Sequence, residues 1–306
     1  YDDILARFPK NKKAIDGIKS LSAGFIGKSP KVQDPPPEQL QSIISLYNQG
    51  QPQKALSDVS QMLEKFPNST ALYNIAGACN AGLMKFDAAI VSYKKALKIN
   101  PENAEVINNM GNAFKSLGDL EKAVGSFKLA VKINPDYAEA YYNMGNTLHQ
   151  MGDVESALDS YNGAVKINPG FAEAHYRRGG VLNDQGDFDA AINSYEVAIK
   201  LKPDYVEAYI DMGNALKDQG NLEASIDSYK RAIKIKPDRA EPYYNMGLVF
   251  YSRGNLDSAI DSYKKALQIK PDFAEAYVDM GNALKDQDDL EAAADSYRKA
   301  LKINNK

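Results

Sequence analysis

Apolar residues along this chain recur at helical spacing, in paired runs parted by a glycine and closed by a proline. Residues 138–171 show the unit. Tyr141, Met144 and Leu148 share one face of a helix predicted from about Ala138 to Met151. Gly152 ends it, because glycine enters the left-handed conformation of a helix terminus without a Cβ clash. A second helix is predicted to start near Asp153 and carries Ala157, Leu158, Tyr161, Ala164 and Val165. Pro169 lies just past its end, where a helix cannot continue. The two helices of each unit are called A and B below.

The unit recurs with a fixed period. Pro67, Pro101, Pro135, Pro169, Pro203, Pro237 and Pro271 stand 34 residues apart. Residues 211–219 and 279–287 are the same string, DMGNALKDQ, two periods apart, which reads as duplication of a two-unit block. Glycines recur inside the A helices at 77, 111, 145, 179, 213, 247 and 281. Each costs about 1 kcal/mol against alanine in a helix interior. A repeated penalty has a repeated cause, and close approach of a neighbouring helix backbone is the expected one. Ala89, Ala123, Ala157, Ala191 and Ala259 fit the same role on the B helices, with Ser225 in their place in one unit. Ala96, Ala130, Ala164, Ala198, Ala232, Ala266 and Ala300 form a second such row.

These motifs resemble the tetratricopeptide repeat. Its signature places read Tyr141, Met144, Gly145, Leu148, Ala157, Tyr161, Ala164 and Pro169 in one unit. The resemblance covers 36–306 as eight units: 36–69, 70–103, 104–137, 138–171, 172–205, 206–239, 240–273 and 274–306. It implies an all-α fold, a right-handed solenoid of stacked antiparallel helix hairpins. The first unit departs, with Ser42-Ile43 where later units have glycine at the second place, and reads as a degenerate capping repeat. Before it, residues 1–24 read as a partial repeat-like helical segment, or equally as a non-repeat extension. Residues 25–35 read as a proline-containing linker leading into Pro35-Pro36-Pro37. At the other end the last hairpin has a partly open apolar face, through which copies could stack head to tail.

Composition narrows the function. The chain has 306 residues, is 44% apolar and carries a formal net charge of -3. That argues against binding nucleic-acid backbone, which needs clustered basic surface. No apolar run approaches the length of a membrane span, so membrane insertion is not expected. A single cysteine, Cys79, makes no internal disulfide and reads as a small packed residue; a cytoplasmic setting is favoured. His149 and His175 stand in no paired-ligand spacing, and no phosphate-binding loop or nucleophile elbow is present. Glu105, Glu139, Glu173, Glu207, Glu241 and Glu275 all take one first-turn place, which suits a helix N-terminus better than six active sites. The chain is therefore read as a non-enzyme without metal or cofactor.

The family implies that the A helices line the inner side of the superhelix and that a protein or peptide partner lies there. Its sixth places read Asn109, Asn143, Arg177, Asp211, Asn245 and Asp279; its ninth places Asn112, Asn146, Gly180, Asn214, Leu248 and Asn282. Tyr142, Tyr176 and Tyr244 occupy fifth places. Asparagine is a poor helix former, so its recurrence in mid-helix calls for a cause. Two remain open: an amide ladder that bonds a peptide backbone, or side chains that solvate the face and bridge adjacent helices. The ladder is similar to that of the repeat arm of O-linked N-acetylglucosamine transferases, which implies a further reading as the substrate arm of a larger transferase. A carboxylate clamp of the chaperone-tail kind matches at Asn112, Asn143 and Arg177. Asn108 and Glu173 stand where that clamp has lysines, and Glu173 would repel a carboxylate. Arg178 is expected to pack its stem and send its head to a carboxylate or to solvent.

Overall fold

The computed structural model describes residues 33–304. The calls on residues 1–24 and on most of 25–35 lie outside that range. Residues 33–36 have no regular structure, and sixteen helices follow. The described residues fall into two compact units, divided between Pro135 and Asp136. The first contains α1 (Pro37–Asn48), α2 (Pro52–Lys65), α3 (Thr70–Gly82), α4 (Phe86–Ile99), α5 (Ala104–Ser116) and α6 (Leu120–Ile133). The second contains α7 (Ala138–Gln150), α8 (Val154–Ile167), α9 (Ala172–Asp184), α10 (Phe188–Leu201) and α11 (Val206–Asp218), continuing with α12 (Leu222–Ile235), α13 (Ala240–Ser252), α14 (Leu256–Ile269), α15 (Ala274–Asp286) and α16 (Leu290–Asn304). Odd-numbered helices are A helices and even-numbered ones B helices. Within each unit every helix packs on the next, and A helices of adjacent hairpins also touch. No strand occurs among the described residues, so the fold is an all-α array of hairpins.

Local chemistry explains the hairpin corners. Asp153 lies one residue before α8, and its carboxylate accepts the Ser156 amide at 3.2 Å. Asp119, Asp187, Asn221 and Asn255 cap α6, α10, α12 and α14 in the same way. Each cap satisfies a backbone donor that the helix leaves unpaired. Gly152 turns the chain with φ +84°. Met84 and Asp288 hold that corner elsewhere with φ 59° and 65°, a conformation side chains disfavour.

The interior glycines have a different cause from the one expected. A Cβ on Gly145 would lie 2.7 Å from the Tyr161 ring, not against a neighbouring backbone. Gly179, Gly213, Gly247 and Gly281 face Tyr195, Tyr229, Tyr263 and Tyr297 in the same way, and Gly111 faces Phe127. The glycine is thus the recess into which the B-helix aromatic fits. Unit 36–69 shows the trade in reverse: Ile43 fills the A-helix place and packs with Val59, a smaller residue where later B helices carry an aromatic ring. Ala89, Ala123, Ala157, Ala191 and Ala259 are wholly buried, as is Ser225, whose hydroxyl donates to the Gly213 carbonyl at 2.8 Å. Cys79 is buried among Ile43, Leu72 and Ala76, and burial pushes its thiol up to about 11.

Candidate interaction face

In the second unit Tyr142, Asn143, Asn146, Tyr176, Asp211, Asn214, Tyr244, Asn245, Asp279 and Asn282 are half-buried, and Arg177 is exposed. Each ninth-place asparagine there is tied to its own hairpin. Asn146 Oδ1 accepts the Tyr161 hydroxyl at 2.9 Å, Asn214 the Tyr229 hydroxyl at 2.8 Å, and Asn282 the Tyr297 hydroxyl at 2.9 Å. Asn214 Oδ1 also accepts Asn245 Nδ2 at 3.0 Å. These bonds fix which end of each amide faces the protein: the oxygen is held, and Nδ2 is left as the donor.

A second set of bonds links consecutive hairpins. The Tyr176 hydroxyl donates to Asp211 Oδ2 at 2.7 Å, and the Tyr244 hydroxyl to Asp279 Oδ2 at 2.8 Å. The Arg177 guanidinium reaches the Tyr142 hydroxyl from the same register and also stands 5.6 Å over the Tyr176 ring. In the first unit Asn109 Nδ2 donates to Asn74 Oδ1 at 3.1 Å, again from one A helix to the next. Fifth-place and sixth-place residues are therefore bridges between repeats. Burial raises the Asp211 carboxyl above its ordinary range, even against the bond from Tyr176. The Tyr176 hydroxyl is pushed upward by burial and by Asp211.

Some contributors went unread in the sequence. Phe171, Tyr205 and Phe273, each two residues after a proline, pack at a tilt against Tyr142, Tyr176 and Tyr244 with centroids 4.8, 4.8 and 4.7 Å apart. Lys202 and Lys270 stand over Tyr205 and Phe273 at 4.7 and 4.6 Å. The recurrence of an aromatic two places past the proline was the available signal. Arg239, Glu241, Tyr244, Asn245, Lys270 and Phe273 line a recess of about 500 Å³. In the first unit Asn109 and Asn112 line a smaller one, about 330 Å³, with Tyr47 and Tyr93. Asn143 is half-buried on α7. Arg178 corrects an expectation: its Nε donates to Ser194 Oγ at 3.1 Å, so a serine, not a carboxylate, receives it. The first-turn glutamates stand where expected, Glu139, Glu173, Glu207, Glu241 and Glu275 each opening an A helix.

Comparison with known families covers most of the array. A model described as "TPR repeat" matches residues 85–118, 111–152, 179–220, 213–252 and 247–288, and models described as "Tetratricopeptide repeat" match 138–171 and 274–306. The chain belongs to the tetratricopeptide repeat family. Among solved structures, MamA is 31% identical, with a TM-score of 0.51 over 56% of this chain and 93% of that one. YrrB, described as a TPR protein with an unusual peptide-binding site, is 26% identical, with a TM-score of 0.55 over 60% of this chain and 95% of that one. The C-terminal part of a TPR repeat-containing protein from Cytophaga hutchinsonii shares the fold at 16% identity, with a TM-score of 0.65 over 79% and 99% of the two chains. No curated protein sequence matched. Among the described residues no helix of this tetratricopeptide array is long and apolar enough to cross a membrane, and no cluster of side chains is arranged to hold a metal.

Proposed function

We propose that this tetratricopeptide array is an interaction scaffold that holds an extended protein segment along the A-helix face of its second unit. The observation that carries the reading is the oriented amides of Asn146, Asn214 and Asn282. Each has its oxygen bonded to a B-helix tyrosine, so each offers a donor of fixed direction on a half-buried face. Carbonyl groups of an extended backbone are the matching acceptors. The tilted aromatic pairs Tyr142–Phe171, Tyr176–Tyr205 and Tyr244–Phe273 add rigid amphipathic area beside them. The family match points to a scaffold, and the peptide-binding site named for YrrB supports a peptide as the class of partner.

The test separates donors from architecture. Asn146→Asp, Asn214→Asp and Asn282→Asp together keep the oxygen that each tyrosine bonds and remove the outward amide. Lysine crosslinking to bound protein in source cells, read by mass spectrometry, should then lose links at Lys202 and Lys270, which flank this face. Links confined to Lys230 and Lys264 on the B helices, unchanged by the triple substitution, would sink the proposal.

A further inference from the structure

One repeat breaks the amide pattern in a way that creates a site of its own. In repeat 206–239 the Asn214 carboxamide sits between two neighbours. The Tyr229 hydroxyl donates to it at 2.8 Å, and Asn245, at the sixth place of the next A helix, donates at 3.0 Å. One period earlier the ninth place is Gly180. The groups around it are the same places of the same architecture: the Tyr195 hydroxyl from α10, and Asp211 at the sixth place of α11. A Cβ added to Gly180 would meet nothing nearer than the Tyr195 hydroxyl, at 3.9 Å, so the space that asparagine fills elsewhere is open here. This sets it apart from Gly179, where an added Cβ would strike the Tyr195 ring at 2.7 Å.

The chemistry of that space is specific. Tyr195 brings a hydroxyl that its counterparts Tyr161, Tyr229 and Tyr297 spend on an asparagine oxygen. Asp211 brings an acceptor in place of the donor Asn245; its Oδ2 takes the Tyr176 hydroxyl, and Oδ1 remains for another donor. Tyr176 links the two groups: its ring centroid lies 5.9 Å from that of Tyr195, and its hydroxyl donates to Asp211 at 2.7 Å. A hydroxyl donor facing a carboxylate acceptor matches a primary carboxamide, whose oxygen accepts and whose nitrogen donates. A carboxylate would face Asp211 with like charge, and an apolar side chain would leave the Tyr195 hydroxyl and Asp211 Oδ1 without a partner from the ligand.

We infer that the Gly180 recess is a specificity pocket for an asparagine or glutamine side chain of the partner segment, held by the Tyr195 hydroxyl and Asp211. This rests on the A-helix face being the docking face and adds the residue class that is read there. It predicts that filling the recess from within mimics the ligand: Gly180→Asn should restore the asparagine–tyrosine bond, raise thermal stability and exclude the partner.

The probe is a displayed library of random dodecapeptides, selected on the intact chain, on Gly180→Asn and on Gly125→Asn. The last makes the same change on the exposed side of α6, a B helix of the first unit, where nothing lies within 4 Å of an added Cβ. Peptides enriched on the unaltered chain should share an asparagine or glutamine at one register. Their affinity should fall about tenfold or more on Gly180→Asn, the worth of one to two hydrogen bonds, and hold on Gly125→Asn. Enriched peptides that lack a shared carboxamide, or bind Gly180→Asn as well as the unaltered chain, overturn the pocket and leave the docking face standing. Failure to enrich any peptide that competes for the A-helix face overturns the docking face and the pocket together.

Discussion

Tyr229 and Tyr263 occupy the same place in successive B helices, both wholly buried, and differ in one bond. The Tyr229 hydroxyl donates to Asn214, whereas Tyr263 faces a repeat whose ninth place is Leu248, and its hydroxyl is buried without a partner. Removing a hydroxyl that makes a bond leaves its acceptor short, while removing an unbonded one takes away only a desolvation cost. Tyr229→Phe should therefore destabilise the chain by about 1 kcal/mol, and Tyr263→Phe should be neutral or stabilising, both read from urea unfolding. Equal losses for the two would show that ring packing, not the hydroxyl, sets the tyrosine preference. The residue scale is where the sequence misleads most. The ninth-place row reads as one ladder, but whether an asparagine oxygen is already taken depends on the B-helix residue fifteen places later.

At the scale of the helix, glycine has two unrelated meanings. Gly111 lies inside α5, and a Cβ there would come 2.7 Å from the Phe127 ring. Gly125 lies inside α6 on its exposed side, with nothing within 4 Å of an added Cβ. Overpacking a filled recess costs about 1–3 kcal/mol, whereas alanine for glycine at an open helix position gains about 1 kcal/mol. Gly111→Ala should lower the unfolding midpoint and Gly125→Ala should raise it; a gain from Gly111→Ala would refute the ring-recess account. The A-helix glycine row was legible because it recurs with the period. Its partner was not, since periodicity marks that a small residue is needed without saying which neighbour needs the room. Helix ends were legible to within a residue, because glycine corners, aspartate and asparagine caps, and proline stops each act locally.

For the molecule as a whole, the 34-residue period showed what kind of fold this is, but not how the hairpins are fastened to one another. Tyr176 to Asp211, Tyr244 to Asp279, Tyr251 to Asp286 and Asn74 to Asn109 each span 35 residues, one more than the period. That offset comes from the stagger between stacked A helices, a three-dimensional quantity that spacing along the chain does not carry. These fasteners are hydroxyl and amide bonds, and the ion pairs lie outside them. Among the described residues the ion pairs are all at least partly exposed, from Arg239 with Glu207 to Arg253 with Glu223. Exposed pairs of this kind are worth at most about 1 kcal/mol each and fade as salt shortens the Debye length from about 10 Å at 0.1 M to about 3 Å at 1 M. Salt also relieves repulsion among the first-turn glutamates that recur along the second unit, which works in the opposite direction. Thermal unfolding should accordingly shift by no more than about 2 °C between about 0.1 M and about 1 M sodium chloride. A fall of about 5 °C or more would mean that ion pairs, rather than buried tyrosines and these hydroxyl and amide bonds, hold the repeats in register.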